Sequence, residues 1–306
     1  MPNSADVNPL KVIFLTLLTV LLGFYIVGPL VGAMVAIPFF DGDFMDLLNA
    51  VSDPTAHPEV KTPLFVLQGC ATFVGLIAGP AILLMSFQRS VTNYFSSDHF
   101  YFKPFLLTVL TVIVFIGVNS FFIEWNAGVT LPDALKGFEE WAREKEDTAA
   151  EITTFLTHFD SAGQMLLALF VIAVLPGIGE ELVFRGLLQR EFIKTGANPH
   201  LSIWIAAILF SAMHLQFFGF VPRMFLGALF GYLYYWSGSL WISMFAHFLN
   251  NGISVVGLYF YQRGAIEYDL ESAESMPWKI VALSAGLTML LLTAFKKYYS
   301  DKIISA

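Results

Sequence analysis

Apolar residues run along this chain in long blocks separated by short polar segments. Eight blocks read as membrane-crossing helices: roughly Lys11–Ala36, Pro63–Phe87, Pro104–Ile123, Gln164–Lys194, Leu201–Phe218, Val221–Trp236, Leu240–Tyr261 and Trp278–Phe295. Gly79-Pro80 and Pro176-Gly177 are expected to kink or break their helices, since proline removes a backbone donor and crowds the preceding turn. Ser237-Gly238-Ser239 reads as a tight turn. One long polar stretch interrupts the series, at residues 124–160. In it Phe138, Trp141, Ala142, Ala149, Ile152, Phe155 and Leu156 recur at helical spacing, with charged residues filling the gaps. The pattern predicts an all-α polytopic membrane protein: a single transmembrane domain over 1–306, with a soluble amphipathic insertion at 124–160.

Composition sharpens this picture. Of 306 residues 57% are hydrophobic and 13% charged, with mean hydropathy +0.69. A soluble domain carries about 25% charged residues, so lipid is the expected solvent. A net charge of −8 argues against a nucleic-acid partner. One cysteine, Cys70, allows neither an internal disulfide nor a cysteine metal site. With both termini in the cytoplasm, Lys11, Arg89, Lys103, Arg190, Lys194, Lys296, Lys297 and Lys302 fall on the cytoplasmic side. The acidic segments around Asp41–Glu59, Glu139–Asp147 and Glu267–Glu274 fall on the other. This asymmetry predicts an integral protein of the plasma (inner) membrane in that orientation.

Ionisable groups inside the apolar blocks are costly in lipid and mark function. Glu180, Glu181 and Arg185 interrupt the fourth block, His214 the fifth, and His247 and Asn251 the seventh. Glu181 and Arg185 are four apart and can pair on one helix face, leaving Glu180 turned elsewhere. His247 and Asn251 share a face for the same reason. At 1.5 Å per residue, Glu180 and His214 lie about 21 Å from their cytoplasmic helix ends, Asn251 about 18 Å and His247 about 12 Å. Matched depth predicts that Glu180, His214, His247 and Asn251 converge on one buried polar cavity.

Glu180-Glu181-x-x-x-Arg185, Phe210-x-x-x-His214 and His247-x-x-x-Asn251, in that order and in separate helices, resemble the three-motif signature of the CAAX-protease and bacteriocin-processing family of intramembrane proteases. These are similar to the type II CAAX prenyl endopeptidases. The resemblance covers residues 164–261 as the motif-bearing region, with no departure at a motif position. It implies an endopeptidase acting on a membrane-associated or lipid-modified protein or peptide.

The residues themselves fit hydrolysis. Glu180 suits the base that activates water, His214 can hold the same water, and His247 with Asn251 can donate to the oxyanion. Glu181 and Arg185 would fix the helix, with Phe210 in support. Glu180, His214 and His247 also match the ligand types of a divalent metal such as zinc, although the His-Glu-x-x-His helix is absent. Metal-assisted and metal-free hydrolysis both stay open at this point. So does a non-catalytic binding or immunity protein of the same fold. A transporter is disfavoured, because the polar residues cluster in the second half of a chain without repeats.

Overall fold

The computed structural model describes residues 7–90, 102–267 and 274–305. Among them the chain is 83% helical and has no strand, so the all-α expectation holds. Ten helices follow in order: α1 Pro9–Phe39, α2 Phe44–Ser52, α3 Pro58–Ser86, α4 Phe102–Ala127, α5 Lys136–Thr157, α6 Ala162–Lys194, α7 Pro199–Ala212, α8 Phe220–Ser237, α9 Leu240–Gln262 and α10 Trp278–Ser305.

Five of these, α1, α3, α4, α6 and α10, are long and apolar enough to cross a membrane. Helix α7 is apolar but shorter. Helices α8 and α9 stand where two further spans were expected, but the tyrosines, glycines and Arg223 of α8 and the His247, Asn250 and Asn251 of α9 dilute their hydropathy. The count of eight spans is therefore not reached on length and apolarity. The fifth expected span is also shorter than read. It stops at Ala212 instead of Phe218, because the chain turns through His214 and Leu215, the latter with a left-handed φ of 54°. The first acidic segment, read as a loop, contains α2. Asp43 and Asp46 cap it reciprocally: Asp43 Oδ1 accepts from the amides of Met45 and Asp46, and Asp46 Oδ2 accepts from the Asp43 amide. Asp269 and Glu271 of the last acidic segment lie outside the described residues.

Helix α6 is the axis of the bundle. Of its apolar window 61% is buried against other helices, against 17% to 39% for the other four spans. It does not break at Pro176-Gly177. A wide π turn, Leu169–Val174, runs directly into Leu175-Pro176 and carries the hydrogen-bond ladder past the proline. The same device precedes Gly28-Pro29 in α1 and Gly79-Pro80 in α3. Widening the turn moves the carbonyl that the proline ring would otherwise strike.

The two N-terminal spans pack backbone to backbone. A Cβ on Gly28 would sit 2.5 Å from Ala71 Cα, and one on Gly75 2.5 Å from the Phe24 amide nitrogen. We expect Gly28→Val to destabilise the protein by at least about 1–3 kcal/mol, because neither backbone can yield to the added atoms. Thermal unfolding in detergent measures this, and an unchanged midpoint would show that the two helices can separate freely. Elsewhere α10 packs on α4 and α7 on α8, while α9 lies along α6.

The insertion forms one amphipathic helix, α5. Its C-terminal end is seated by Leu156 and Phe159 in a cluster with Phe65 of α3, Ala168 and Val171 of α6 and Val255 of α9. Its other end lies beside the turn between α7 and α8, which carries His214.

Candidate active site

Three chain segments bring the intramembrane polar residues together. Helix α6 presents Glu180, Glu181 and Arg185, the α7–α8 turn presents His214, and α9 presents His247. All are buried except His214, which is half-buried.

Glu181 is fully buried and anchors the cluster. Its Oε1 accepts from Arg185 Nη1 at 2.8 Å, the expected i,i+4 pair, and from His247 Nδ1 at 2.9 Å. The second bond was not foreseen from the sequence, which placed His247 with Glu180, His214 and Asn251 and gave Glu181 only Arg185 as a partner. Arg185 also donates from Nη2 to the Gly227 carbonyl at 2.5 Å. Its guanidinium lies against the rings of Phe210 (4.9 Å) and Phe230 (5.6 Å). One turn further along α6, Gln189 Nε2 donates to the Gly231 carbonyl. Arg185 and Gln189 thus form two rungs onto α8, at Gly227, whose missing Cβ makes room for Ala207 and Phe210 of α7, and at Gly231, whose missing Cβ makes room for the Gln189 side chain.

The bonds at Nδ1 decide the orientation of both imidazoles. A carboxylate held by arginine accepts only, so His247 Nδ1 carries the hydrogen and Nε2 points away from Glu181. That Nε2 lies 3.9 Å from Glu180 Oε2. The His247 ring stacks on Phe230 at 5.1 Å with 22° between planes, which fixes its plane. His214 Nδ1 meets the Phe210 carbonyl at 3.0 Å, and a carbonyl likewise only accepts. His214 therefore also leaves Nε2 for other partners. Phe210 touches both imidazole rings, at 5.3 Å for His214 and 5.8 Å for His247. Two of the groups expected to converge, His214 and His247, are thereby drawn around one phenyl ring, and His247 is held by the Glu181 carboxylate.

Glu180 is 8% exposed, and its Oε2 is buried with no hydrogen-bond partner among the described residues. At 3.9 Å the gap to His247 is too long for a direct hydrogen bond and suits a bridging water. The Glu180 carboxylate lies close enough to act electrostatically on His214, Arg223 and Tyr25. Tyr25, from α1, donates to the Met213 carbonyl next to His214. No sequence signal pointed to Tyr25, which stands in an apolar run 155 residues before Glu180.

Asn251 sits one turn beyond His247, as expected, but its amide is engaged elsewhere. Nδ2 donates to the Ile172 carbonyl at 3.0 Å, and Oδ1 accepts from Asn250 at 3.1 Å. The Ile172 carbonyl belongs to the π turn ahead of Pro176, where the ladder is irregular, and Asn251 satisfies it. One N–H of Asn251 remains for another acceptor.

The described residues contain no group of three or more His, Cys, Asp or Glu side chains placed to hold one metal ion. Glu180, His214 and His247, the ligand set considered from the sequence, do not meet that arrangement. The carboxylate bonded to His247, that of Glu181, is already shared between arginine and imidazole.

Residues 162–253 match the family model described as type II CAAX prenyl endopeptidase Rce1-like. The chain carries an Rce1-like domain. All the residues of the cluster above except Tyr25 lie within the Rce1-like stretch. It also agrees with the resemblance read from the three motifs. A relative from Bacillus subtilis (strain 168), described as the uncharacterized protein YpbD, is 29% identical over 86 residues, which are 27% of this chain and 41% of the relative. The match thus spans less than half of that protein. No solved structure matches the chain.

Proposed function

We propose that this protein is an intramembrane endopeptidase that hydrolyses a peptide bond in a membrane-associated or lipid-modified protein or peptide, using water activated by Glu180. The observation that carries the reading is the 3.9 Å gap between Glu180 Oε2 and His247 Nε2, with the far nitrogen of His247 held by Glu181. A water in that gap has a base on one side and a fixed imidazole on the other.

In the first step the water oxygen attacks the scissile carbonyl carbon and Glu180 takes the water proton. The negative charge moves to the carbonyl oxygen. There the remaining N–H of Asn251 donates to it, as does His247 Nε2 when the imidazole held by Glu181 through Nδ1 is doubly protonated. His214 Nε2 accepts from the attacking water and aims it. The tetrahedral intermediate then collapses, the C–N bond breaks, and Glu180 returns its proton to the leaving amine. No step is routed through a metal.

The test uses the purified full chain in liposomes. One substrate is a prenylated peptide ending in a CAAX sequence, the other an unmodified membrane-inserted peptide, with products read by mass spectrometry. We expect cleavage of at least one, at a single bond, and an unchanged rate after chelation. If neither is cleaved, the reading falls. Loss of cleavage on chelation that is restored by zinc would transfer the water activation from Glu180 to a metal.

A further inference from the structure

His214 is presented by a turn that the local sequence does not hold by itself. Helix α7 ends at Ala212, and Leu215, directly after His214, has φ +54° and is 66% exposed. A bulky residue in the left-handed region costs energy and persists only where surrounding contacts over-determine it. Two distant elements supply such contacts. Asn126, at the end of α4, brackets the segment, its Nδ2 donating to the Phe217 carbonyl at 3.3 Å and its Oδ1 accepting from the Val221 amide at 2.7 Å. Glu146, on the insertion helix α5, accepts the Phe218 amide at 3.0 Å through Oε2. Its Oε1 lies 4.0 Å from Arg223 Nη2, and that nitrogen also donates to the Gln216 carbonyl at 3.1 Å. Around this bond Arg143 lies 4.0 Å over the Phe218 ring, and Phe138 meets Phe217 edge-on at 5.5 Å. Glu146 is thus the polar centre of a contact between the insertion and the turn.

We propose that Glu146 is a positioning residue for His214: the insertion helix clamps residues 216–218 through the Glu146–Phe218 hydrogen bond and thereby sets the His214 imidazole against Glu180 and His247. This rests on the reading of those three residues as a hydrolytic site. It gives the insertion, which lies outside the matched stretch, a part in the chemistry without contact with the substrate. A glutamine at 146 can still accept the Phe218 amide, whereas alanine cannot, so the hydrogen bond and the charge are separable.

The experiment compares Glu146→Ala, Glu146→Gln and the exposed control Glu144→Ala in the full chain in lipid nanodiscs. Amide hydrogen exchange over 213–220 and peptide cleavage are both measured. For Glu146→Ala we expect exchange in this segment to quicken about tenfold or more, the factor set by one lost charge-assisted bond. We expect kcat to fall about tenfold with KM within about twofold, since substrate binding does not involve this bond. Glu146→Gln should stay within about threefold of the parent on both readouts, and Glu144→Ala should match it. Where Glu146→Ala does not fold, Glu146→Asp, which keeps the charge and withdraws it by one methylene, should give the same pattern at smaller amplitude. Unchanged exchange in the alanine variant overturns the clamp. Quickened exchange with unchanged kcat overturns its role in positioning, as does a glutamine variant as impaired as alanine. Failure of the parent to cleave any peptide would instead remove the hydrolytic reading, and the exchange arm would still decide the clamp.

Discussion

Glu180→Gln is expected to abolish peptide cleavage while the helical bundle stays intact. The substitution is nearly isosteric at a site that is 8% exposed. Glu180 Oε2 accepts no hydrogen bond among the described residues, so an amide there breaks no structural contact. It removes the carboxylate, 3.9 Å from His247 Nε2, that takes the water proton in the proposed mechanism. General-base catalysis contributes roughly 10²–10⁴-fold, and a loss of that order in kcat is expected. Initial rates on a cleaved substrate, together with the thermal midpoint, measure it. Near-normal turnover in a folded Glu180→Gln protein would remove the base from the mechanism.

Arg185→Ala should cost about 3–5 kcal/mol of stability, and the loss of activity should follow from the loss of fold. Arg185 is 1% exposed and holds three things at once: the Glu181 carboxylate, the Gly227 carbonyl and the faces of Phe210 and Phe230. Truncation leaves a buried carboxylate facing only His247 and opens a cavity between two aromatic rings. Replacing both charges, as Glu181→Gln with Arg185→Met, should recover part of the loss, because removing a buried pair costs less than orphaning one partner. Thermal or denaturant unfolding of the single and double variants decides. An Arg185→Ala protein as stable as the parent yet inactive would place Arg185 in the chemistry instead.

Much of this was readable from residue order. Apolar blocks broken by turn residues gave the helices, since a backbone in lipid must satisfy itself within one segment. The i,i+4 spacing gave the Glu181–Arg185 pair, because it depends on one helix alone. Gln189, four further on, was open to the same reasoning and was passed over. What depends on two helices at once was not legible. The His247–Glu181 bond joins residues 66 apart, and the Asn251–Ile172 bond residues 79 apart. Their existence follows from how α9 lies along α6, which no local pattern encodes. The end of α7 was misplaced because Met213, His214 and Leu215 continue an apolar pattern, while the turn is imposed from outside by Asn126 and Glu146. The π turns were likewise hidden. A proline warns of a break, but whether the helix breaks or widens depends on what packs around it.

The rungs from Arg185 and Gln189 to Gly227 and Gly231 have a mechanical consequence. Sliding α8 along α6 by a single residue would strand both donors, each fully buried, at a cost on the order of 1–3 kcal/mol apiece. A side chain at either acceptor would disturb the packing: a Cβ at Gly231 would sit 2.9 Å from Gln189 Oε1, and one at Gly227 3.1 Å from Phe210 Cδ1. The two helices are keyed like a bolt in its slot, and the two rungs together fix their register.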